Sequence, residues 1–440
     1  MLPHQIDTLI SARWVVTIDH ASRVLEHHSV AVAGGKIVAI LPSSEAEQRF
    51  VAKEHITLTD HALMPGLINL HTHSAMSLLR GFADDLPLMT WLQDHIWPAE
   101  KQHVGEQFVY DGTLLAAAEA IKSGVTCLND MYFFPQPTAR ALLDARLRGA
   151  VSVNVIEFPT QYASDAEDYL SKGLEAHNRY GGEALLQFTM APHAPYTISD
   201  RTFERMVTLA DQLDMQIHCH IHETRAEIEG SIKEFGVRPL ERLARLGMLS
   251  PRLIAVHMVH LLEDEMAQLA EHGVHIAHNP SSNMKLASGI CPVSTLHDFN
   301  INVGLGTDGA ASNNRLDMFT EIRAAALLAK VATENPEVVP AHRALEMATI
   351  CGARALGRED DLGSIEVGKL ADLTAVDLSD IVCQPCFDPT SQLAYVAGRE
   401  NVTHVWVQGQ CLLDNRQLTT LDEAELKQKA RIWHDRIAAR

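Results

Sequence analysis

The 440-residue sequence predicts a (β/α)8 TIM barrel joined to a small β-sandwich built from both chain termini. Three observations predict it. Eight apolar, strand-like runs alternate with amphipathic helical stretches over about 290 residues, a rhythm that calls for a closed barrel rather than an open sheet. Segments rich in β-formers, with tight-turn signals, flank that alternation on both sides. Histidines and one aspartate fall just past several of the strand-like runs, where such barrels collect their reactive groups.

At this length one large domain plus a smaller one is the natural division. Residues 1–61 and 361–440 supply the two parts of the sandwich and 62–360 the barrel. In the first part, 6–18 reads as a strand, and 29–33 runs through Gly34-Gly35 into 36–40. A Gly-Gly pair between two such runs signals a hairpin. The far end answers with strands at 370–376 and 402–407, the latter followed by a Gln408-Gly409 turn. Between them the eight barrel strands are expected at 62–70, 124–128, 150–156, 185–190, 215–220, 253–257, 274–277 and 301–305. Helical periodicity marks 105–122, 201–213 and 262–272 among the connections. A last amphipathic helix, from about 421 to 440, has no assigned role.

Composition narrows the class. Apolar residues at 46% and charged residues at 21% are ordinary for a soluble globular chain. A formal charge of −20 argues against nucleic acid or an anionic membrane as partner, since both would be repelled. The first residues lack a basic region followed by an apolar run, so no signal peptide is expected. No stretch approaches the roughly 18 apolar residues of a spanning helix. Seven cysteines, odd in number and without a framework, suit free thiols and a cytoplasmic location. Cys383-Gln384-Pro385-Cys386 is a CxxC with no second pair nearby, and reads as structural.

The 24 histidines are the outlier, and position selects among them. His71 and His73 stand two apart at the end of the first barrel strand, so their side chains share one face and can hold one ion. On the fifth strand His218, His220 and His222 alternate on one face. His220 is the candidate ligand, because it lies near the strand end with Glu223 just beyond; His218 and His222 read as structural. His257 ends the sixth strand, and Asp308 follows the eighth in a glycine-flanked turn. His71, His73, His220 and Asp308 form a set of three imidazoles and one carboxylate with an open position, as a catalytic metal site requires. Zn2+ suits these ligands best, with Fe2+ and Mn2+ compatible. An ion there lowers the pKa of water towards about 7. The expected fourth strand contains no lysine to bridge a second ion, so one metal is expected.

These residues resemble the amidohydrolase superfamily, nearly end to end. Within it, the segment from His71 to Glu100, Ala191-Pro192-His193-Ala194-Pro195-Tyr196, the run from His278 to Leu286 and the run from Gly306 to Asn314 are similar to the 5-methylthioadenosine/S-adenosylhomocysteine deaminases. The resemblance implies hydrolytic removal of the 6-amino group of an adenine nucleoside. It implies that Glu223 carries a proton to ring N1, that Asp308 takes one from water, and that His257 hydrogen-bonds the nucleophile. It also implies that Glu100 accepts hydrogen bonds from the ribose, that Trp91 covers the 5′ side and that His193 contacts sugar or base. One departure stands out. Some relatives carry an arginine soon after the third strand, suited to an amino-acid carboxylate; here Asn154 takes that place, and no arginine lies between Gly149 and Asn178. That favours methylthioadenosine, and adenosine, over S-adenosylhomocysteine. The rival readings are a triazine hydrolase or a guanine or cytosine deaminase on the same scaffold, which would have no ribose for Glu100 to hold. A non-catalytic binding protein should have lost ligands that this chain retains. The partner expected is thus a small purine nucleoside, and a homo-oligomer is compatible with the sequence.

Overall fold

The computed structural model describes residues 4–439. Strands β1 (His4–Val16), β2 (Val24–Ala33), β3 (Lys36–Pro42) and β4 (Phe50–Pro65) come from the N-terminal part. The barrel strands follow as β5 (Leu67–Thr72), β6 (Val125–Asp130), β7 (Arg148–Val155), β8 (Leu186–Pro192), β9 (Gln216–Ile221), β10 (Leu253–His257), β11 (His275–His278) and β12 (Asn302–Leu305). They pair in parallel and in chain order, as β–α alternation requires. Every residue of β5, β6, β7 and β10 is buried, because such strands have side chains inside and helices outside. Ala255 joins the apolar layer beneath the helices, while Ile254 and Val256 join Cys127, Ala150 and Ala277 in a separate cluster with Ala353 and Leu356.

The seam between β12 and β5 is held by side chains. Asn69 Nδ2 donates to Thr307 Oγ1 at 2.8 Å, and the Thr307 N–H donates back to Asn69 Oδ1 at 3.0 Å. The Asp308 N–H then donates to the His71 carbonyl at 3.0 Å, which ties the two predicted metal ligands together through the backbone.

The remaining strands, β13 (Leu373–Asp377), β14 (Val402–Val407), β15 (Gln410–Asp414) and β16 (Gln417–Leu418), complete a second eight-stranded sheet in the order β16-β15-β14-β13-β4-β1-β2-β3. It is one continuous sheet that curls on itself. The Gly34-Gly35 turn, with φ of 58° and 77°, meets the C-terminal strands: a Cβ on Gly35 would lie 2.7 Å from Gln408. Ile10, Val30, Ile37, Leu63, Leu373 and Trp406 share the enclosed core.

One expected strand is divided. Residues 62–65 belong to β4 and pair with β13, and the barrel begins only after Gly66. Apolar character is continuous through 62–70, so the sequence gives no sign of the change of sheet. Gly66 marks it, since a Cβ there would fall 2.1 Å from the Thr126 side chain. The terminal helix, Glu423–Ala438, lies on Glu106–Lys122. Its Trp433 packs edge-on against Phe108 and donates to Asp111 Oδ2 at 3.0 Å, the packing role that the sequence left unassigned. Arg440, the last residue of that expected helix, lies outside the described residues.

Candidate active site

The strand ends of the barrel bring His71, His73, His220, His257 and Asp308 together. Possible ligand atoms of His71, His220 and His257 all lie within 4.8 Å of one another, as do those of His71, His73 and Asp308. Asp308 Oδ1 is 3.2 Å from Nε2 of both His71 and His73, and His71 Nε2 is 3.2 Å from His220 Nε2. His257 and Asp308 take φ of 74° and 60°, a left-handed backbone that strains a residue with a Cβ. Such strain costs of order 1–3 kcal/mol and persists where the side chain is needed in a fixed direction.

The outer hydrogen bonds decide what the inner nitrogens can do. His73 Nδ1 donates to the Met131 carbonyl at 2.6 Å, and His220 Nδ1 to the His193 carbonyl at 2.8 Å. His257 Nδ1 donates to Asn283 Oδ1 at 2.8 Å. A carbonyl only accepts, so His73 and His220 each hold a proton on Nδ1, and a neutral ring then presents a bare Nε2 lone pair inward. His71 Nδ1 lies 2.9 Å from His218 Nε2. Nε2 of His71 and of His220 lie 3.2 Å apart, and that of His71 lies 3.2 Å from Asp308 Oδ1, so one cation can share these donor atoms. The donor set therefore fits a metal ion. His218 and His222, read as structural, stand outside the cluster: His218 backs His71, and His222 Nε2 accepts from the Leu240 N–H at 3.2 Å.

Charge follows the same plan. Burial pushes His71 down to about 4, although the Asp308 carboxylate opposes it. Burial works against ionised Asp308, but its contacts with His71 and His73 outweigh that and hold the carboxyl well below its usual range. The Ser282 hydroxyl donates to its Oδ2 at 2.6 Å and the Gly309 N–H to its Oδ1 at 2.8 Å. Glu223 moves the other way, raised chiefly by burial, with Oε2 3.8 Å from His257 Nε2. Its backbone is clamped by Glu227, whose two oxygens accept the N–H groups of His222 and Glu223 at 2.9 and 2.8 Å.

A cleft of about 700 Å3, including its open mouth, lies over this cluster. Trp91, Glu100 and His193 line it with His73, His220, Glu223, His257 and Asp308, so all the sequence-predicted side chains but buried His71 face one space. Trp91 begins a π-helical turn, Trp91–Ile96, that leads into the helix Trp97–His103 carrying Glu100. Burial pushes the Glu100 carboxyl up to about 7 against the lowering effect of the Tyr132 hydroxyl, which donates to Oε1 at 2.7 Å. Burial likewise pushes His193 down to about 3, which leaves it neutral. Asn154 also lines the cleft, its Oδ1 without a partner, and no lysine or arginine lines it among the described residues. Sequence reasoning missed Tyr132, Asn283 and Ser282 as individual residues. Tyr132 lies two residues past β6, close enough to a strand end for the rule that selected Asp308 after β12 to have selected it too.

The model of the amidohydrolase family matches residues 62–412. The chain belongs to the amidohydrolase family. This amidohydrolase is 47% identical, over 98% of its length and 97% of the relative's, to a 5-methylthioadenosine/S-adenosylhomocysteine deaminase of Saccharophagus degradans. It is 40% identical, over 99% of both chains, to a 5′-deoxyadenosine deaminase of Methanosarcina acetivorans. Its structure matches that of an adenosine deaminase from Xanthomonas campestris with bound zinc, at a TM-score of 0.98 and 49% identity over 100% of both chains. An atrazine chlorohydrolase from Arthrobacter aurescens shares the fold at a TM-score of 0.89, with 24% identity over 97% of this chain and 99% of that one. No helix among the described residues is long and apolar enough to cross a membrane.

Proposed function

We propose that this amidohydrolase removes the 6-amino group of an adenine nucleoside by hydrolysis, giving the inosine analogue and ammonia. One observation carries the reading: a single cleft holds both a carboxylate set up to accept hydroxyl donors, Glu100, and the proton-handling group Glu223, His257 and Asp308. Three of the four relatives agree with it by name, as deaminases of methylthioadenosine and S-adenosylhomocysteine, of 5′-deoxyadenosine and of adenosine.

His71, His73, His220 and Asp308 would hold the ion, and zinc suits three imidazoles and a carboxylate. When bound, the ion supplies Lewis acidity and a water acidic enough to deprotonate near neutral pH. Asp308, kept ionised, takes the proton of the attacking water. His257, fixed through Nδ1 on Asn283, turns Nε2 to the same water and orients it. Glu223, whose burial favours its protonated form, gives a proton to ring N1 as C6 gains oxygen. Asp308 then gives the proton it took from water to the amino nitrogen, the C6–N bond breaks and ammonia leaves, and the proton remaining on the C6 hydroxyl returns to Glu223 as the carbonyl forms. Glu100 receives the ribose hydroxyls, Trp91 covers the 5′ side and neutral His193 contacts sugar or base.

At the 5′ end, a cleft that no lysine or arginine lines among the described residues, with Asn154 in its wall, suits a methylthio, deoxy or hydroxyl substituent better than a free amino acid. The test is ammonia release from methylthioadenosine, 5′-deoxyadenosine, adenosine, S-adenosylhomocysteine and guanine with the zinc-loaded protein. The reading expects turnover of the first three with at least about tenfold higher kcat/KM than S-adenosylhomocysteine. Failure with every adenine nucleoside rejects it.

A further inference from the structure

Two neighbouring residues join the halves of the cleft. Met131 accepts the His73 Nδ1 proton on its carbonyl, and its own N–H donates to the Thr72 carbonyl at 2.9 Å. Tyr132 donates its hydroxyl to Glu100 Oε1 at 2.7 Å, and its N–H donates to Ser152 Oγ at 3.2 Å. This short stretch after β6 is therefore stitched to β5 and to β7, and it touches a predicted metal ligand with one residue and the predicted sugar acceptor with the next. Tyr132 is buried and lines the cleft. No hydrogen bond reaches Glu100 Oε2 among the described residues.

We propose that Tyr132 is a positioning residue that makes Glu100 selective for a vicinal diol, by anchoring Oε1 from a rigid strand end and leaving Oε2 to the substrate. The inference rests on the assignment of Glu100 to the ribose. A carboxylate on a helix reached through a π turn has freedom to swing; one hydrogen bond from a fixed ring removes it. Held there and desolvated, the carboxylate needs donors, and a diol supplies two. A sugar lacking them leaves the oxygen unpaired, which is the strong form of discrimination open to a polar pocket. The hydroxyl also opposes the upward push of burial on the Glu100 carboxyl. The charged or titratable groups that face it are Tyr132 and His73, with Tyr169 beyond, and of the first two both favour the carboxylate.

The test compares wild type, Tyr132→Phe and Glu100→Gln on adenosine and 2′,3′-dideoxyadenosine. Tyr132→Phe should raise KM for adenosine about tenfold, with kcat within about twofold, and leave the dideoxy substrate unchanged. The pH below which the adenosine KM rises should also move upward, because removing the donor raises the Glu100 pKa. Equal losses on both substrates would make Tyr132 merely structural and overturn the proposal, as would no loss on either. If Glu100→Gln itself fails to separate the two substrates, the ribose assignment falls and the proposal with it. If Glu100→Gln separates them and Tyr132→Phe does not, only the Tyr132 role falls.

Discussion

At the residue scale, His71, His73, His220 and His257 each have Nδ1 held at a hydrogen-bond partner, respectively His218, Met131, His193 and Asn283. The Asn283–His257 bond is the clearest, because it fixes both the tautomer and the direction of the ring. Asn283→Ala should lower kcat about 10–100-fold, the usual cost of removing such an outer partner. Circular dichroism and Tm should stay near wild type, which separates this loss from unfolding. Glu100 makes a pH prediction. With its carboxyl raised to about 7 by burial, protonation removes the acceptor as pH falls through that value. KM for a ribonucleoside should thus rise below about pH 7 and be lowest above it, while Glu100→Gln should show a high KM with that slope gone. A steady-state pH profile of both proteins checks it.

At the scale of the element, the turn after β12 is where geometry is tightest. Gly306 leads into Asp308, and a Cβ there would sit 2.4 Å from Asn279 Oδ1 and 2.7 Å from the His71 backbone nitrogen. Gly306→Ala must push β12 away from β5, since backbone cannot yield as a flexible side-chain tip can. It should cost about 1–3 kcal/mol in chemical denaturation, typical of overpacking, and reduce bound metal measured on the purified protein. The strand ends were legible from sequence because catalytic side chains in such barrels follow strands in a known way. The boundary at Gly66 was not, because an apolar run reads the same whether it feeds one sheet or two. Nor was the lone His220 choice decided by spacing: alternation alone gives His218 and His222 the same face, and only the structure puts His218 behind His71 and His222 past the strand end.

At the scale of the whole molecule, barrel and terminal sheet are joined by a buried ion pair. Arg148 on β7 donates to both oxygens of Asp372, with Nε to Oδ2 at 2.9 Å and Nη2 to Oδ1 at 3.2 Å. Asp372 Oδ1 also accepts the Gln408 N–H at 2.7 Å, and the Asp372 carbonyl accepts the Gly66 N–H at 2.9 Å. Asp372→Ala leaves a buried guanidinium uncompensated and should cost about 3–5 kcal/mol. The site lies at the other ends of the strands, so activity per folded molecule should survive. Thermal unfolding and low-temperature assays distinguish the two. Chelation should abolish turnover, and zinc should restore it, with the Tm rising on metal addition because the ion binds the folded state.

The sequence by itself determined the alternation of eight strands and helices, the terminal strands that flank it, and the residue types set at the strand ends. Those are local properties: periodicity, turn chemistry and the position of a histidine relative to an apolar run survive in one dimension. The tertiary structure alone decided which nitrogen of each ring faces inward, how one sheet curls to enclose its own core, and how Tyr132 comes to hold Glu100. These depend on contacts between segments far apart in the chain, such as His257 with Asn283 and Arg148 with Asp372, which hydrogen-bond geometry and burial select and no pattern along the sequence encodes.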